Sequence, residues 1–541
     1  MKADLVLQGG RIATFDAGNN EVQALAARDG KIVALGRDNA MAEWIGPKTE
    51  VIDLRGRRAV PGIVDSHCHP DSHAARISSW HEVDPTRIKD RAELLALIDR
   101  ATRAAKPGAW FVGYRLNERR SGGYPTLAEL DRAANGHPLF ILRTDGHIGL
   151  ANSAAFKLCN VTRDTPDPPF GRFDHDPATG ELTGLVRETA AHLFLEEVHR
   201  NDTVDDLAAG LERVFDLYLA QGITSLHNSL TSSRAVQAYQ IMKQAGRLHL
   251  RVGMMISGRE QGLVEATMRA GIRTGFGDEW VRVVGVEWCP DCSTSGRTAA
   301  YYEPYVGTPV LGEPANNCGM LLYEAEDLRQ RVTAAHKAGL IVCLDGVGDR
   351  GVDFCLDMFE AALKAHPVAD HRMRVEHCCY VTPKQQARLK ALGVIDSSAT
   401  GFMYDLGEAY AANRGAAAMR WMWPHRTLLD QGVVVAGHSD AAVCQINPWV
   451  ALDAMVNRKS ETGVSLGTEE AITIVEALRC YTGTGAYLGR EEAIKGTLEL
   501  GKLADIAVLD RDVLTIPSAE IKHTRADLTI VGGCVKYRRD A

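Results

Sequence analysis

The chain has 541 residues, 45% of them hydrophobic and 24% charged, and its formal net charge is −8. A chain of this length folds as one large domain with additions or as two to three domains. The acidic balance argues against the basic face that nucleic-acid binding requires, and no apolar run is long enough to span a membrane. Since the amino terminus also lacks a signal-peptide pattern, we expect a cytoplasmic protein with neither nucleic acid nor membrane as a partner.

Both ends of the chain show the alternation of β-strands. Near the amino terminus, Asp4–Gln8 is strand-like, and Asp29-Gly30 is a tight-turn dipeptide between two further strand-like runs. Near the carboxyl terminus, Ala504–Asp510 has the same character. Because neither end is large enough to bury a core alone, we predict one small β-sandwich built from residues 1–60 and 486–541.

Eight short apolar runs, separated by amphipathic helical stretches, occupy residues 61–485. Buried strands of a parallel sheet have this near-continuous apolar character, and eight is the number of strands in a (β/α)8 barrel. The chain therefore predicts an α/β protein with a TIM-type barrel. The runs are Ile63–Asp65, Ile223–His227, Arg251–Ile256, Val283–Trp288, Leu340–Asp345, Met373–His377, Val394–Ser397 and Val433–Gly437.

The gap between the first two runs is too long for one helix and two loops. About 150 residues separate them, which predicts a subdomain inserted over about residues 75–215, and barrels tolerate insertions at the active-site face. The gap contains a helical pattern at Arg91–Asp99 and a strand-like run at Leu139–Arg143, followed by Thr144–His147.

The first barrel run ends at two histidines spaced i and i+2, His67 and His69. Successive side chains of a strand point to opposite faces, so both imidazoles emerge on the same side. Taken alone, the pair is as compatible with two surface histidines as with a metal site. Four further ligand-type residues end or follow later barrel runs, where the chemistry of this architecture lies, and the six together predict one or two divalent cations, with zinc expected. The four are Glu287, Asp345, His377 and Asp440.

A Cys-X-X-Cys sequence lies at Cys289 to Cys292. It suits a redox or metal site, but no second cysteine pair and no thioredoxin-like pattern accompany it. We therefore expect a structural role, and we expect most of the twelve cysteines to be reduced and buried.

Several motifs resemble the amidohydrolase superfamily over nearly the whole chain. They are the β-rich leader, the stretch Pro61–His69, the barrel and the closing phrase Gly496–Asp505. Within the superfamily, Arg297–Ala299, Arg374–His377 and Ser439-Asp440 are similar to the YtcJ-like branch, which includes N-substituted formamide deformylases. The resemblance implies that His67 and His69 bind one metal, that His377 helps to bind a second, and that Asp440 binds metal and handles a proton.

The chain departs from the branch at two positions. Glu287 stands where the branch usually has a carboxylated lysine that bridges two metals, and a glutamate offers a similar two-oxygen bridge on a shorter stem. Asp345 stands where the branch usually has a histidine, and it brings a charge that an imidazole lacks. These departures leave the identity and occupancy of the second metal open.

The expected chemistry is attack of a metal-activated water on a carbonyl, with Asp440 first as general base and then as general acid. We expect His147 and Arg297 to hold the carbonyl or oxyanion, with a purely local contact as the alternative for His147. Trp288 and Tyr301 are candidates for an apolar substrate wall, with core packing as the alternative.

Three functions remain open from the sequence. The first is hydrolysis of a non-peptide C–N bond in a small linear amide, such as an N-substituted formamide. The second is the same fold acting on a cyclic amide or imide, an ester or a carbon–carbon bond. The third is a catalytically decayed binding or regulatory scaffold. We expect a small-molecule substrate, and a homodimer if the chain assembles.

Overall fold

Eight parallel strands, numbered here barrel strands 1 to 8 in chain order, form the central sheet. The computed structural model describes residues 1–83, 88–118, 121–309, 313–314 and 316–539. Each barrel strand pairs with the next one along the chain, which confirms the predicted TIM-type barrel. The strands are Ile63–Cys68, Ile223–Thr231, Arg251–Ser257, Val281–Trp288, Val342–Gly346, Arg374–His377, Ile395–Ser398 and Val435–Gly437.

Two hydrogen bonds outside the regular strand ladder connect barrel strand 1 to strand 8 and the segment that follows it. The Ser66 hydroxyl donates to the Gly437 carbonyl at 3.1 Å, and the Asp440 amide donates to the His67 carbonyl at 3.0 Å. These contacts lay the segment after strand 8 along the end of strand 1. As a result, Asp440 and the two histidines of strand 1 share one edge of the barrel mouth.

Helices surround the barrel and bury their apolar faces on it. In Ala325–Lys337, Leu328, Val332 and Ala335 are buried along one side, as the helical spacing predicts. No helix among the described residues is long and apolar enough to cross a membrane. The barrel-side helices are Pro70–Ser79, Val204–Leu219, Ser233–Gln244, Leu263–Arg269, Ala325–Lys337, Asp349–Ala365, Pro383–Leu392, Thr400–Asp405, Gly407–Arg414, His425–Asp430, Pro448–Asn457, Ile474–Cys480 and Gly483–Leu488. Short 3-10 helices lie at Ala416–Trp421, Thr468–Glu470 and Ser518–His523, and a further one, Asp38–Met41, packs on the amino-terminal strands.

A β-sandwich combines both ends of the chain, as predicted. Leu7 and Leu25 of one sheet pack against Ile506 and Ile530 of the other in a shared core. In hydrogen-bonding order, the first sheet is Lys31–Gly36, Ala24–Arg28, Leu5–Gln8 and Glu50–Asp53. The second is Cys534–Arg538, Ala526–Val531, Ile506–Leu509, Arg58–Pro61, Arg11–Ala13 and Glu21–Val22.

The sandwich is joined to the barrel by buried polar contacts. Arg251, the first residue of barrel strand 3, forms two hydrogen bonds with the Asp505 carboxylate at 2.7 and 2.9 Å. The Thr529 hydroxyl donates to the Leu219 carbonyl at 2.6 Å. Both contacts lie at the end of the barrel where the strands begin, so the sandwich leaves the opposite, functional end open.

The segment between barrel strands 1 and 2 contains a six-stranded sheet with cores of its own. The sequence predicted one of its helices and the strand Leu139–Arg143, but not the whole sheet. Helix Val204–Leu219 packs into the barrel core, although the predicted insertion limits of about 75 and 215 include most of it. In order, the strands are Gly171–His175, Leu182–Glu188, Ile148–Ala151, Leu139–Arg143, Phe111–Leu116 and His81–Glu82; the helices are Arg91–Ala104, Leu127–Ala133, Ser153–Leu158 and Thr189–Val198.

Candidate metal centre

The end of barrel strand 1 places two imidazoles beside one carboxylate. The ring centres of His67 and His69 lie 5.4 Å apart. Oδ1 of Asp440 lies 3.0 Å from Nε2 of His69 and 3.4 Å from Nε2 of His67. The strand alternation predicts this common side for the two histidines, and the contact between strands 8 and 1 brings Asp440 to them.

A second group of donors adjoins the first. Nδ1 of His67 lies 3.6 Å from Oε1 of Glu287, and Nε2 of His377 lies 3.6 Å from Oδ2 of Asp345. Ligand atoms of Glu287, Asp345 and Cys289 all lie within 4.8 Å of one another. The structure therefore brings all six predicted ligand residues to one end of the barrel, in two adjoining groups.

Several donor atoms of this centre are buried without a hydrogen-bond partner among the described residues. They include Nε2 of His67, Oδ1 of Asp440, Oδ1 of Asp345 and Nδ1 of His377. Buried polar atoms are normally satisfied, because an unpaired one costs roughly 1–3 kcal/mol. Imidazole nitrogens and carboxylate oxygens are ligands for borderline divalent cations such as zinc, so these residues fit a divalent metal.

The charge balance of the second group also fits a cation. Burial raises the pKa of the Glu287 carboxyl to about 8, although His67 works to lower it, and Asp345 adds to the rise. The carboxylate accepts hydrogen bonds from the Ser229 hydroxyl at 2.8 and 3.0 Å and from the Leu230 amide at 2.9 Å. Glu287 is thus held in position beside a second acid, where a cation would favour its ionised form.

Glu376 is a functional candidate that the sequence interpretation missed. Its Oε2 accepts a hydrogen bond from Nδ1 of His67 at 3.0 Å and another from the Ser397 hydroxyl at 2.6 Å, and Arg374 donates to Oε1. Burial works to raise the pKa of Glu376, but Arg374 and His67 outweigh it and hold the pKa below its ordinary value. In the sequence, an acidic residue within a run predicted as a buried barrel strand could have identified Glu376 as a candidate.

His438 is a second missed residue. Its ring stacks on His67 with centres 4.6 Å apart, and its Nε2 lies 3.2 Å from the Ser397 carbonyl. The Nδ1 atom is buried with no hydrogen-bond partner among the described residues. In the sequence, its position just after barrel strand 8 and two residues before Asp440 could have identified His438 as a candidate.

His147 lies in the inserted segment and is paired with an acid far along the chain. Its Nδ1 lies 2.7 Å from Oε2 of Glu188. Burial works to lower the pKa of His147, but Glu188 outweighs it and raises the pKa to about 9. Ligand atoms of His147 and Glu188 lie within 4.8 Å of the Cys292 thiol, so the pair lies against the loop that follows barrel strand 4.

Arg297, which we predicted to hold the substrate carbonyl, contacts protein groups in the structure. Its guanidinium forms hydrogen bonds with both carboxylate oxygens of Glu313 at 2.7 and 2.9 Å. It also donates to the Val306 carbonyl at 2.7 Å and to Oδ1 of Asn413 at 3.2 Å. Since all three of its nitrogens make contacts to protein, Arg297 holds the loop together.

Trp288 and Tyr301 are both buried in the core. Tyr301 is fully buried, and its hydroxyl lies 2.7 Å from the Thr294 hydroxyl. Trp288 is 1% exposed, and its ring lies against Gly258 so closely that a Cβ there would approach Nε1 within 2.2 Å. The alternative of core packing is the one that the structure supports for both residues.

The two thiols of the Cys-X-X-Cys sequence are separate and free. Cys289 lies beside Glu287 and Asp345, whereas the Cys292 thiol lies within 4.8 Å of ligand atoms of His147 and Glu188. Between them, the Asp291 carboxylate accepts hydrogen bonds from four backbone amides, which tie this loop to the segment after barrel strand 5. The two thiols are therefore not joined in a disulfide in this structure, and no pairing between them supports the redox interpretation.

The fold and this donor arrangement define a barrel protein of the metal-dependent hydrolase type. The chain belongs to the amidohydrolase family, whose profile matches residues 50–537. It is 27% identical to the N-substituted formamide deformylase of Arthrobacter pascens, over 99% of this chain and 98% of that protein. It is 26% identical to the putative amidohydrolase YtcJ of Bacillus subtilis, with both chains fully covered. These similarities confirm the YtcJ-like branch.

A solved structure supports the same assignment. An uncharacterized metal-dependent hydrolase from Pyrococcus horikoshii OT3 superposes with a TM-score of 0.76 at 25% identity. The superposition covers 95% of this chain and 99% of that one. The barrel, sandwich and inserted sheet therefore belong to one shared architecture.

Proposed function

We propose that the protein hydrolyses a non-peptide C–N bond in a small molecule, an N-substituted formamide or a related linear amide. One observation carries the proposal: the Asp440 carboxylate lies between two imidazoles at the barrel mouth, with buried donor atoms left unpaired around it. The similarity to a formamide deformylase over almost the whole chain supports the choice of amide.

The donor groups support one or two divalent cations, with zinc as the proposed ion. His67, His69 and Asp440 supply the first group, and Glu287, Asp345 and His377 supply the second. A divalent cation held there lowers the pKa of water and polarises a carbonyl group. The two carboxylates of the second group bring negative charge, which a divalent cation would balance.

Asp440 is the residue that we assign to proton transfer. Burial works to raise its pKa, but the adjacent imidazoles of His67 and His69 outweigh it and hold the pKa well below its ordinary value. Asp440 is therefore ionised at neutral pH and accepts a proton from the attacking water. It then delivers that proton to the leaving nitrogen, acting first as base and then as acid.

His147 is the residue that we assign to the substrate carbonyl. Its Nδ1 is held by Glu188 at 2.7 Å, so Nε2 remains the free ring nitrogen. With its raised pKa, the imidazole is protonated at neutral pH and presents an N–H donor. A positioned cationic donor stabilises negative charge that develops on a carbonyl oxygen.

Metal analysis and a substrate panel test this function together. Purified full-length protein is assayed for bound zinc and for hydrolysis of N-substituted formamides, other linear amides, cyclic imides and esters. We expect one or two equivalents of zinc and release of amine from formamides. His69→Ala is the control, because loss of a ligand should lower turnover by orders of magnitude while circular dichroism stays unchanged. Protein that holds no metal after zinc-replete expression would support the decayed scaffold instead.

A further inference from the structure

Barrel strand 4 ends in the same i, i+2 pattern as barrel strand 1. Glu287 and Cys289 flank Trp288, whose ring packs against Gly258. Because successive side chains alternate, Glu287 and Cys289 face one side while Trp288 faces the other. The end of strand 4 thus presents a carboxylate and a thiol together, as the end of strand 1 presents two imidazoles.

The thiol of Cys289 lies in the second donor group. Its Sγ and carboxylate oxygens of Glu287 and Asp345 lie within 4.8 Å of one another. The three residues are 2%, 0% and 7% exposed, respectively. Oδ1 of Asp345 is buried with no hydrogen-bond partner among the described residues, so one lone pair in this group is available to a ligand.

We propose that Cys289 is a thiolate ligand of the second cation, together with Glu287 and Asp345. The proposal rests on the metal dependence proposed above and defines which metals this position accepts. Zinc and cobalt bind mixed sulfur, nitrogen and oxygen donors, whereas magnesium, calcium and manganese prefer oxygen alone. In the second donor group, Asp345 stands where the YtcJ-like branch usually has a histidine. Cys289 would add a strong metal ligand to that group.

The chain offers a matched control in Cys343. This thiol is also fully buried, but it packs in an apolar cluster with Met255, Val284 and Ile341. Replacing either cysteine by serine removes one sulfur and keeps the approximate size of the side chain. Only the Cys289→Ser change should remove a sulfur ligand from a bound metal, because the group of possible ligands includes Cys289 and not Cys343.

X-ray absorption at the zinc edge tests the proposal on the zinc-loaded full-length protein. We expect a Zn–S distance of about 2.3 Å beside shorter contacts to nitrogen and oxygen of about 2.0–2.2 Å. The sulfur contact should be lost in Cys289→Ser and kept in Cys343→Ser. Zinc-loaded wild-type protein with nitrogen and oxygen neighbours alone would overturn the proposal, as would a sulfur contact that persists in Cys289→Ser.

Cobalt loading gives a second readout that does not depend on the variants folding. A bound thiolate produces a sulfur-to-cobalt charge-transfer band in the near ultraviolet, which we expect in the wild-type protein. A cobalt-loaded protein without that band would reject Cys289 as a ligand and leave the metal-dependent hydrolase intact. Protein that takes up neither zinc nor cobalt would instead reject the proposed function itself.

Discussion

Nδ1 of His67 and Oε2 of Glu376 are joined by a buried hydrogen bond of 3.0 Å. The two residues are 309 positions apart in the chain and lie on barrel strands 1 and 6. Because Nδ1 donates its proton to Glu376, the lone pair of Nε2 is left to bind a metal, and Nε2 lies 3.4 Å from Oδ1 of Asp440. Glu376 therefore sets both the orientation and the tautomer of a candidate metal ligand.

Replacing Glu376 by glutamine should weaken metal binding and turnover together. Loss of such an orienting carboxylate typically costs about 10–100-fold in metal affinity or activity. Zinc affinity, by competition with a chelator, and kcat/KM are the measurements. Ser397→Ala is the control, because it removes one hydrogen bond to Glu376 but keeps the contact to His67, and its effect should be smaller. Wild-type affinity and rate in Glu376→Gln would contradict the assigned role.

Replacing Glu287 by glutamine should reduce the bound metal and the rate in parallel. The change keeps the size of the side chain but removes a charge that a cation would balance. Elemental analysis after dialysis, with the rate measured on the same sample, gives both quantities. In Ser229→Ala the carboxylate stays and still accepts from the Leu230 amide, so metal retention should change less. A glutamine variant with full metal and a normal rate would leave Glu287 as a polar lining residue.

The pH dependence of kcat/KM should report His147. Its pKa is raised to about 9, so the imidazole is a cationic donor below that pH and loses its proton above it. We therefore expect kcat/KM to fall above about pH 9. Glu188→Gln removes the group that raises the pKa, so the alkaline limb should move to lower pH. His137→Gln, whose histidine bonds to the Ala109 carbonyl, is the control. An alkaline limb unmoved by Glu188→Gln would exclude His147 as the titrating group.

The buried pair Arg251 and Asp505 should be important for the stability of the join between barrel and sandwich. Its members are 2% and 5% exposed, so Arg251→Ala leaves an uncompensated buried charge and should lower the free energy of unfolding by about 3–5 kcal/mol. Arg163→Ala breaks an exposed pair with Glu181, which solvent screens, and should cost far less. Urea unfolding measures both variants, and equal losses would show that the buried pair has no special role.

The sequence predicted those parts of the fold that leave a local, periodic signal. Barrel strand 2 was expected at Ile223–His227 and extends over Ile223–Thr231. The strand Leu139–Arg143 of the inserted sheet was predicted with its observed bounds. The end of this strand was not predicted, because the strand continues past the apolar run into polar residues that are buried in the structure, Asn228, Ser229 and Thr231.

The sequence did not predict which residues contact each other inside the inserted segment. The pairing of His147 with Glu188 depends on the neighbouring strands Ile148–Ala151 and Leu182–Glu188, whose antiparallel register opposes Ile148 to Arg187. Nothing in the local pattern around either residue encodes that register. The sequence therefore identified the histidine as a candidate and left its partner open.

By itself, the sequence determined the eight-stranded barrel, the two-ended sandwich and the common side of His67 and His69. Each of these follows from a residue period or from a spacing along one strand. Only the tertiary structure decided that Glu376 orients His67, that Arg297 is bound by Glu313, and that Cys289 lies beside Asp345. Such contacts join different strands and loops, and their geometry is set by strand register and loop packing, which the composition of either segment does not specify.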